Sequence, residues 1–312
     1  MHNNESSFMY RPQRVAKSLK LEIRGHQYHV LTWGQQQTQE PPLVLLHGWM
    51  DLAASFQFLV DALNPDRFII APDWRGFGDT QGPDVDHYVF ADYLGDLDFL
   101  LDHFEATLGC KTFNVLGHSM GGNVAMMYAG IQEARIHKLI NLEGFGMPAT
   151  RASMAKDRYR RWLDELKALD QQSLALKPYA NLNDVAKRLM KNNPRLKEDF
   201  AHWLASQWAC PLENGEWRLK ARAAHKVVSA QLYRLDEMQE IFKGITAPTL
   251  CVHSSDLQLD RWWKGTYTFD QYQERLQAVA HLSQTQVKES GHMLHHDQPQ
   301  ALAQVVEAFL AQ

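Results

Sequence analysis

The chain has 312 residues, 45% of them hydrophobic and 22% charged, with a formal net charge of -4 at pH 7. That length allows one enlarged domain, or one domain carrying an insertion, and argues against two independent folds. The charge comes from 36 acidic against 32 basic residues without long like-charge blocks, which argues against a nucleic-acid surface and leaves small neutral or weakly charged molecules as the expected partners.

Cys110, Cys210 and Cys251 are far apart and odd in number, a pattern that disfavours a disulfide framework and fits a reducing compartment. Arg11, Arg14, Lys17 and Lys20 interrupt the opening segment, and no apolar run reaches the roughly 18 residues a membrane span needs. A cytoplasmic protein with no membrane partner is expected. No heptad stripe marks an oligomer, so monomer and homodimer both stay open.

Residues 1–18 read as a loose N-terminal arm. Leu19–Ile23 and Tyr28–Trp33 alternate in polarity, as the strands of an edge hairpin turning near Arg24-Gly25-His26 do. After a polar loop over Gln35–Pro42, Pro42–Leu46 is continuously apolar, as is Phe68–Pro72. Such runs fit strands covered on both faces. A helical stretch separates them, from about Ala53 to Leu63. From Val89 to Phe104, apolar residues recur at the helical period: Phe90, Tyr93, Leu94, Leu97, Leu100 and Leu101. Lys111–Leu116 is a short buried strand, Met120–Gly130 a helix, and Ile136–Leu142 another strand leading into Glu143.

The pattern then changes. Residues 147–246 hold no convincing strand, and the helical stretches are Met154–Leu169, Leu182–Met190, Pro194–Gln207 and Ala223–Phe242. A helical insertion, or lid, over the sheet edge is expected, with Trp162, Trp203, Trp208 and Tyr233 as candidates to line what lies below. Pro248–His253 resumes the buried-strand pattern, and a loop over Ser254–Trp263 precedes a helix over Tyr272–Val279. A last strand over Leu282–Val287 and a closing helix over Gln298–Leu310 follow. Strand and helix alternate over 19–146 and 247–312, which predicts an α/β core: a mostly parallel sheet with helices on both sides. Its functional residues should lie at the carboxyl edge of that sheet.

The chemistry centres on Gly117-His118-Ser119-Met120-Gly121, a G-x-S-x-G sequence between a strand and a helix. A strand turning at once into a helix holds the intervening serine in strained geometry, and the glycines remove side chains that would collide around it. Ser119 is therefore the expected nucleophile. A serine hydroxyl needs a base, usually a neutral histidine oriented by a carboxylate. Among 15 histidines, His292 has the right place, directly after the last strand and beside Gly291.

For the carboxylate, Asp256 is preferred, because it follows the strand ending near His253 and lies between nucleophile and base in chain order. Glu143, directly after the strand that follows the nucleophile helix, is the alternative, and Asp260 is a third candidate. The negative charge of attack calls for two backbone N–H donors, expected from Trp49 and Met120. Trp49, Met50, Phe145 and Met293 would give the pocket an apolar wall. His47 is expected to hold its own loop. No phosphate loop or zinc signature is present, and neither cofactor nor metal is expected; His295 and His296 are expected to flank the site or face solvent, and His295-His296-Asp297 is not read as a metal ligand set.

Taken together, the His47-Gly48-Trp49 loop, the Asp73-x-Arg75-Gly76-x-Gly78 turn, the Gly117-x-Ser119-x-Gly121 elbow, an acid after the seventh strand and Gly291-His292 resemble the alpha/beta-hydrolase fold superfamily. The resemblance is to its serine-nucleophile branch, with a helical cap between strands six and seven, and runs from about Leu21 onward. It implies a three-layer α/β/α sandwich with an eight-stranded, mostly parallel sheet, a Ser119 nucleophile, a His292 base and N–H donors at Trp49 and Met120. Two departures stand out. Ser254 occupies the usual glycine position after Pro248, and Leu257 the usual acid position, so Asp256 comes one residue early. Glu143 matches the place from which some family members supply their acid after strand six.

The expected function is hydrolysis of a small to medium hydrophobic carboxylic ester through an acyl-enzyme. Two alternatives stay open: hydrolysis of a carbon-carbon bond in a vinylogous diketone, with Arg75, Asn123 and Arg222 as polar contributors, and a low-turnover ligand-binding or signalling protein that retains the triad.

Overall fold

A computed structural model describes residues 10–36 and 40–312. Residues 1–9 of the expected arm and the centre of the Gln35–Pro42 loop lie outside these residues, as does the side chain of Asp260. Ten strands and eleven α-helices are named here in chain order. The chain opens with β1 (Lys17–Ile23) and β2 (His26–Trp33), then β3 (Leu43–Leu46), α1 (Gln57–Ala62), β4 (Ile69–Pro72) and α2 (Phe90–Leu108). β5 (Phe113–His118), α3 (Met120–Ile131) and β6 (Ile136–Leu142) complete the first part. Between β6 and the next sheet strand lie α4 (Ala155–Asp170), α5 (Leu182–Asn192), α6 (Glu198–Trp208), β7 (Ala209–Pro211), β8 (Trp217–Leu219) and α7 (Leu235–Lys243). The chain ends with β9 (Thr249–Ser254), α8 (Leu259–Trp263), α9 (Phe269–Leu276), β10 (Leu282–Val287), α10 (Leu294–Asp297) and α11 (Pro299–Leu310).

Eight strands form one sheet in the order β1-β2-β4-β3-β5-β6-β9-β10. The six from β4 to β10 run parallel, and the β1–β2 hairpin joins antiparallel at one edge. The period of two in a strand sends neighbouring side chains to opposite faces. Val44 and Leu46 pack with α2 residues Leu97, Leu100 and Leu101 and with α3 residues Val124 and Met126. Leu43 and Leu45 pack on the other face, with Leu59 of α1 and Leu302 and Val306 of α11. Three layers, α/β/α, follow from that division.

The cap has its own small core. Val185, Ala186 and Leu189 of α5 meet Ala201, Leu204 and Ala205 of α6, and Phe58 of α1 reaches up into this cluster. Phe58 stacks on Phe200 at 3.7 Å between ring centroids, which ties the cap to the sheet domain. On the opposite side the tie is backbone pairing: Phe77 bridges to Ala221, Gly78 N donates to Lys220 O at 2.8 Å, and Arg222 N donates to Gly76 O at 3.0 Å. α4, by contrast, contributes no buried residue.

Two expectations for the cap are corrected. A three-residue hairpin pair, β7 and β8, sits where no strand was expected, because strands this short show no alternation. The helix expected over Ala223–Phe242 is a single tight turn at Ala223–Lys226 followed by α7, with extended backbone at Val227 between them. Among the described residues, no helix is long and apolar enough to cross a membrane.

Candidate active site

Ser119 sits at the turn between β5 and α3 with φ 52° and ψ -114°, a conformation that non-glycine residues rarely adopt. Two glycines make it possible. A Cβ on Gly117 would lie 2.2 Å from Gly121 O, and one on Gly121 would lie 2.1 Å from Leu46 O. Met120 opens α3, so its backbone N–H precedes the first intrahelical bond. Neither that N–H nor the one of Trp49 donates to another group among the described residues.

The imidazole of His292 is held from three sides. Its Nδ1 lies 3.3 Å from Oε2 of Glu143. The ring of Trp262 packs edge-on at 4.4 Å between centroids, and that of His118 lies at 4.7 Å. Burial pulls the His292 pKa down to about 4, so the ring is neutral at neutral pH, the form a base requires. The facing carboxylate works in the opposite direction, favouring the imidazolium once a proton arrives.

Glu143 directly follows β6, with φ 56°, and is 2% exposed. Its N–H donates to Val252 O at 3.2 Å, and its Oε1 accepts from the Ser254 N–H at 2.7 Å. Burial pushes its pKa up to about 7, with the Ser254 hydrogen bonds opposing. Asp256, the preferred acid in the sequence, points elsewhere. Its N–H is tied to Ser290 O at 3.1 Å, and its half-exposed carboxylate pairs with Arg195 of the cap at 3.1 Å. The turn after β9 therefore sends Asp256 outward, while Leu257 packs against the core. The carboxylate beside the imidazole is the alternative, Glu143.

Ser119 and His292 line a cavity of about 1000 Å³ between sheet and cap. Trp49, Met50 and Met293 line it as expected, but Phe145 does not: it is buried, edge-on to Tyr272 at 5.0 Å. The cap adds apolar walls from Leu189, Leu196 and Leu204, and four cationic side chains, Lys177, Arg188, Arg195 and Lys226. Of the tryptophans proposed from the sequence, Trp208 lines the cavity and Trp262 was missed. Trp203 packs on Phe58 at 5.6 Å, Trp162 meets His87 at 5.9 Å, and Tyr233 lies under Arg275.

The other polar candidates, Arg75, Asn123 and Arg222, are absent from the cavity lining. Arg75 pairs with buried Asp96 at 2.5 Å, Asn123 accepts from Gly146 N at 2.9 Å, and Arg222 pairs with Asp84 at 2.6 Å. His47 holds its loop as expected: its Nδ1 donates to Gly48 O at 2.8 Å and its Nε2 accepts from Trp74 N at 2.9 Å.

The family described as alpha/beta hydrolase fold matches residues 41–301. A serine hydrolase-like protein of Danio rerio is 24% identical over 307 residues, 96% of this chain and 89% of that one. One from Dictyostelium discoideum is 26% identical over 297 residues, 89% of this chain and 77% of that one. A hypothetical protein of Pseudomonas aeruginosa PAO1 superposes with a TM-score of 0.81 at 23% identity, over 95% of this chain and 99% of that chain. The thioesterase domain from the curacin biosynthetic pathway gives 0.78 at 21%, over 94% of this chain and 99% of that chain. Those two structures speak to the fold alone. With the match spanning most of the sheet domain and all of the cap, the chain belongs to the alpha/beta-hydrolase fold family, and its relatives mark it as a hydrolase-type enzyme.

Proposed function

We propose that the protein is a serine hydrolase that cleaves carboxylic esters with an apolar acyl group, using Ser119, His292 and Glu143. The observation that carries this is the strained Ser119 turn on the same cavity as a neutral imidazole whose Nδ1 faces a buried carboxylate. In the reaction, Nε2 of His292 takes the Ser119 proton as Oγ attacks the carbonyl carbon. Glu143 stabilises the imidazolium and fixes the ring with its proton on Nδ1. The N–H groups of Trp49 and Met120 receive the developing oxyanion. The imidazolium then protonates the leaving alcohol, and water, deprotonated by the same nitrogen, cleaves the acyl-enzyme.

A fluorophosphonate probe and a panel of nitrophenyl esters of increasing chain length test this. Labelling and turnover should vanish in Ser119→Ala while the thermal transition is kept. Labelling that persists in that variant removes Ser119 from the mechanism. A second reading, carbon-carbon bond hydrolysis of a carboxylate-bearing vinylogous diketone, draws support from the four cationic side chains of the cavity wall. Turnover confined to such diketones would favour it over ester hydrolysis.

A further inference from the structure

At the cavity floor, three side chains from separate segments of the chain converge. Asp51 follows β3, His118 ends β5 and His295 lies in α10; they are 4%, 2% and 0% exposed. One ligand-capable atom from each lies within 4.8 Å of the other two. Buried polar atoms are nearly always partnered. Here Oδ2 of Asp51, Nδ1 of His118 and both ring nitrogens of His295 have no hydrogen-bond partner among the described residues.

Their other atoms fix what these orphans offer. Nε2 of His118 lies 2.8 Å from the carbonyl oxygen of His292, which can only accept, so Nε2 carries the proton and Nδ1 is a bare lone pair. Oδ1 of Asp51 accepts from Leu52 N at 2.8 Å and from the Ser55 hydroxyl, leaving Oδ2 free. Ser55 in turn accepts from Nε1 of Trp208 at 3.1 Å. His295, packed between Phe56 and His118, has neither nitrogen committed and can turn a lone pair inward. With a lone pair of His295 turned inward, the three groups present three acceptors, and a single water has only two protons to give. A cation satisfies all three at once.

We propose that Asp51, His118 and His295 form a binding site for a divalent transition-metal ion of the zinc class, and that occupancy inhibits the enzyme. Two imidazoles and one carboxylate, with water in a fourth position, is a ligand set zinc accepts. The second shell fits as well: a metal-bound histidine usually donates its other N–H to a carbonyl, as His118 does. Ligands about 2.1 Å from a tetrahedral zinc lie roughly 3.4 Å apart, so small side-chain rotations close the set. Asp51 and His118 also line the cavity, which supplies the entry path. With one carboxylate against two positive charges, the site keeps a net positive charge behind the His118 ring, 4.7 Å from that of His292. That charge opposes formation of the imidazolium on which serine attack depends. The inhibitory half rests on the serine-hydrolase reading; the binding half does not.

The test uses the full chain, stripped with a chelator and titrated with Zn²⁺ by calorimetry alongside thermal melting. One ion per chain is expected, with affinity at least tenfold weaker in both Asp51→Asn and His295→Gln. No binding, or binding unchanged in both variants and so owed to surface imidazoles, overturns the site. X-ray absorption on the zinc-loaded wild type should show two imidazoles and oxygen around the metal, and fewer than two overturns it even if a variant fails to fold. Ester turnover should fall with the same midpoint as binding and return on chelation. Binding without inhibition keeps the site and refutes its effect on catalysis.

Discussion

Replacing Glu143 with glutamine tests the proposed catalytic acid most sharply, because it keeps the shape of the side chain and removes its charge. At the observed 3.3 Å, opposite charges attract by roughly 5 kcal/mol at an effective dielectric constant of about 20, and by about 1.3 kcal/mol in bulk water. Those limits correspond to about 5000-fold and about 10-fold in rate. Glu143 has a fully buried side chain and His292 is 19% exposed, so the effect should fall toward the upper limit, about 1000-fold in kcat/KM. Tautomerism adds to the loss. The Ser254 N–H, now bonded to Oε1 of Glu143, would select the amide oxygen and turn the NH2 toward Nδ1 of His292. A donor there favours the imidazole with its proton on Nε2, which cannot act as base. The assay is steady-state ester hydrolysis at pH 8.5, where Glu143 is ionised, with Asp256→Asn measured beside it and expected within about threefold of wild type, as for an exposed ion pair. Near-wild-type rates in Glu143→Gln, or a collapse in Asp256→Asn alone, would refute the reasoning.

The pKa of Glu143, pushed up to about 7, has opposite consequences for rate and stability. The proposed mechanism requires ionised Glu143, so kcat/KM should fall as pH drops through about 7. For folding, a raised pKa contributes stability that is complete below the unfolded value of 4.5 and is lost as pH rises through 7. Glu143→Gln should therefore gain up to about 3 kcal/mol over wild type between pH 4 and pH 8.5, read by denaturant unfolding at both. Gly121→Ala should lose about 1–3 kcal/mol and most of its probe labelling. Its new Cβ meets Leu46 O at 2.1 Å, and the roughly 1 kcal/mol helix-propensity gain is too small to offset backbone displacement. Arg75→Met strands the fully buried carboxylate of Asp96, whose remaining cation is the partly exposed Arg24. Chemical denaturation should show a loss of about 3 kcal/mol.

The sheet was legible because buried parallel strands are short apolar runs, and Leu43–Leu46 and Ile69–Pro72 are such runs with turn residues after them. The elbow was legible because its glycines keep a fixed spacing around the serine, although the contact that demands Gly117 is local, with Gly121 O, and the one that demands Gly121 is distant, with Leu46 O. The facing acid was not, because the choice depends on the direction in which a side chain leaves a strand end. Glu143 turns toward His292 from a left-handed backbone position, while the Ser254-Ser255 turn sends Asp256 toward Arg195. Periodicity carries neither fact. Phe145 failed for a similar reason: it follows β6 at the sheet edge, but only packing against Tyr272 shows which way it turns. Asp51, His118 and His295 meet from three segments far apart in the chain, and nothing in the local pattern of any one of them announces the other two.

The pairing of Phe77 with Ala221 constrains how the lid moves. Two main-chain hydrogen bonds join it to the Asp73–Gly78 turn, and Phe58 pins the α5–α6 pair from beneath, so the lid cannot rise as a plate. The flank carrying α4 is held more lightly: none of its residues is buried, and Trp162 reaches the sheet domain edge-on to His87 at 5.9 Å. Ties on both sides predict that any opening of the cavity is a local movement of cap segments rather than displacement of the whole lid.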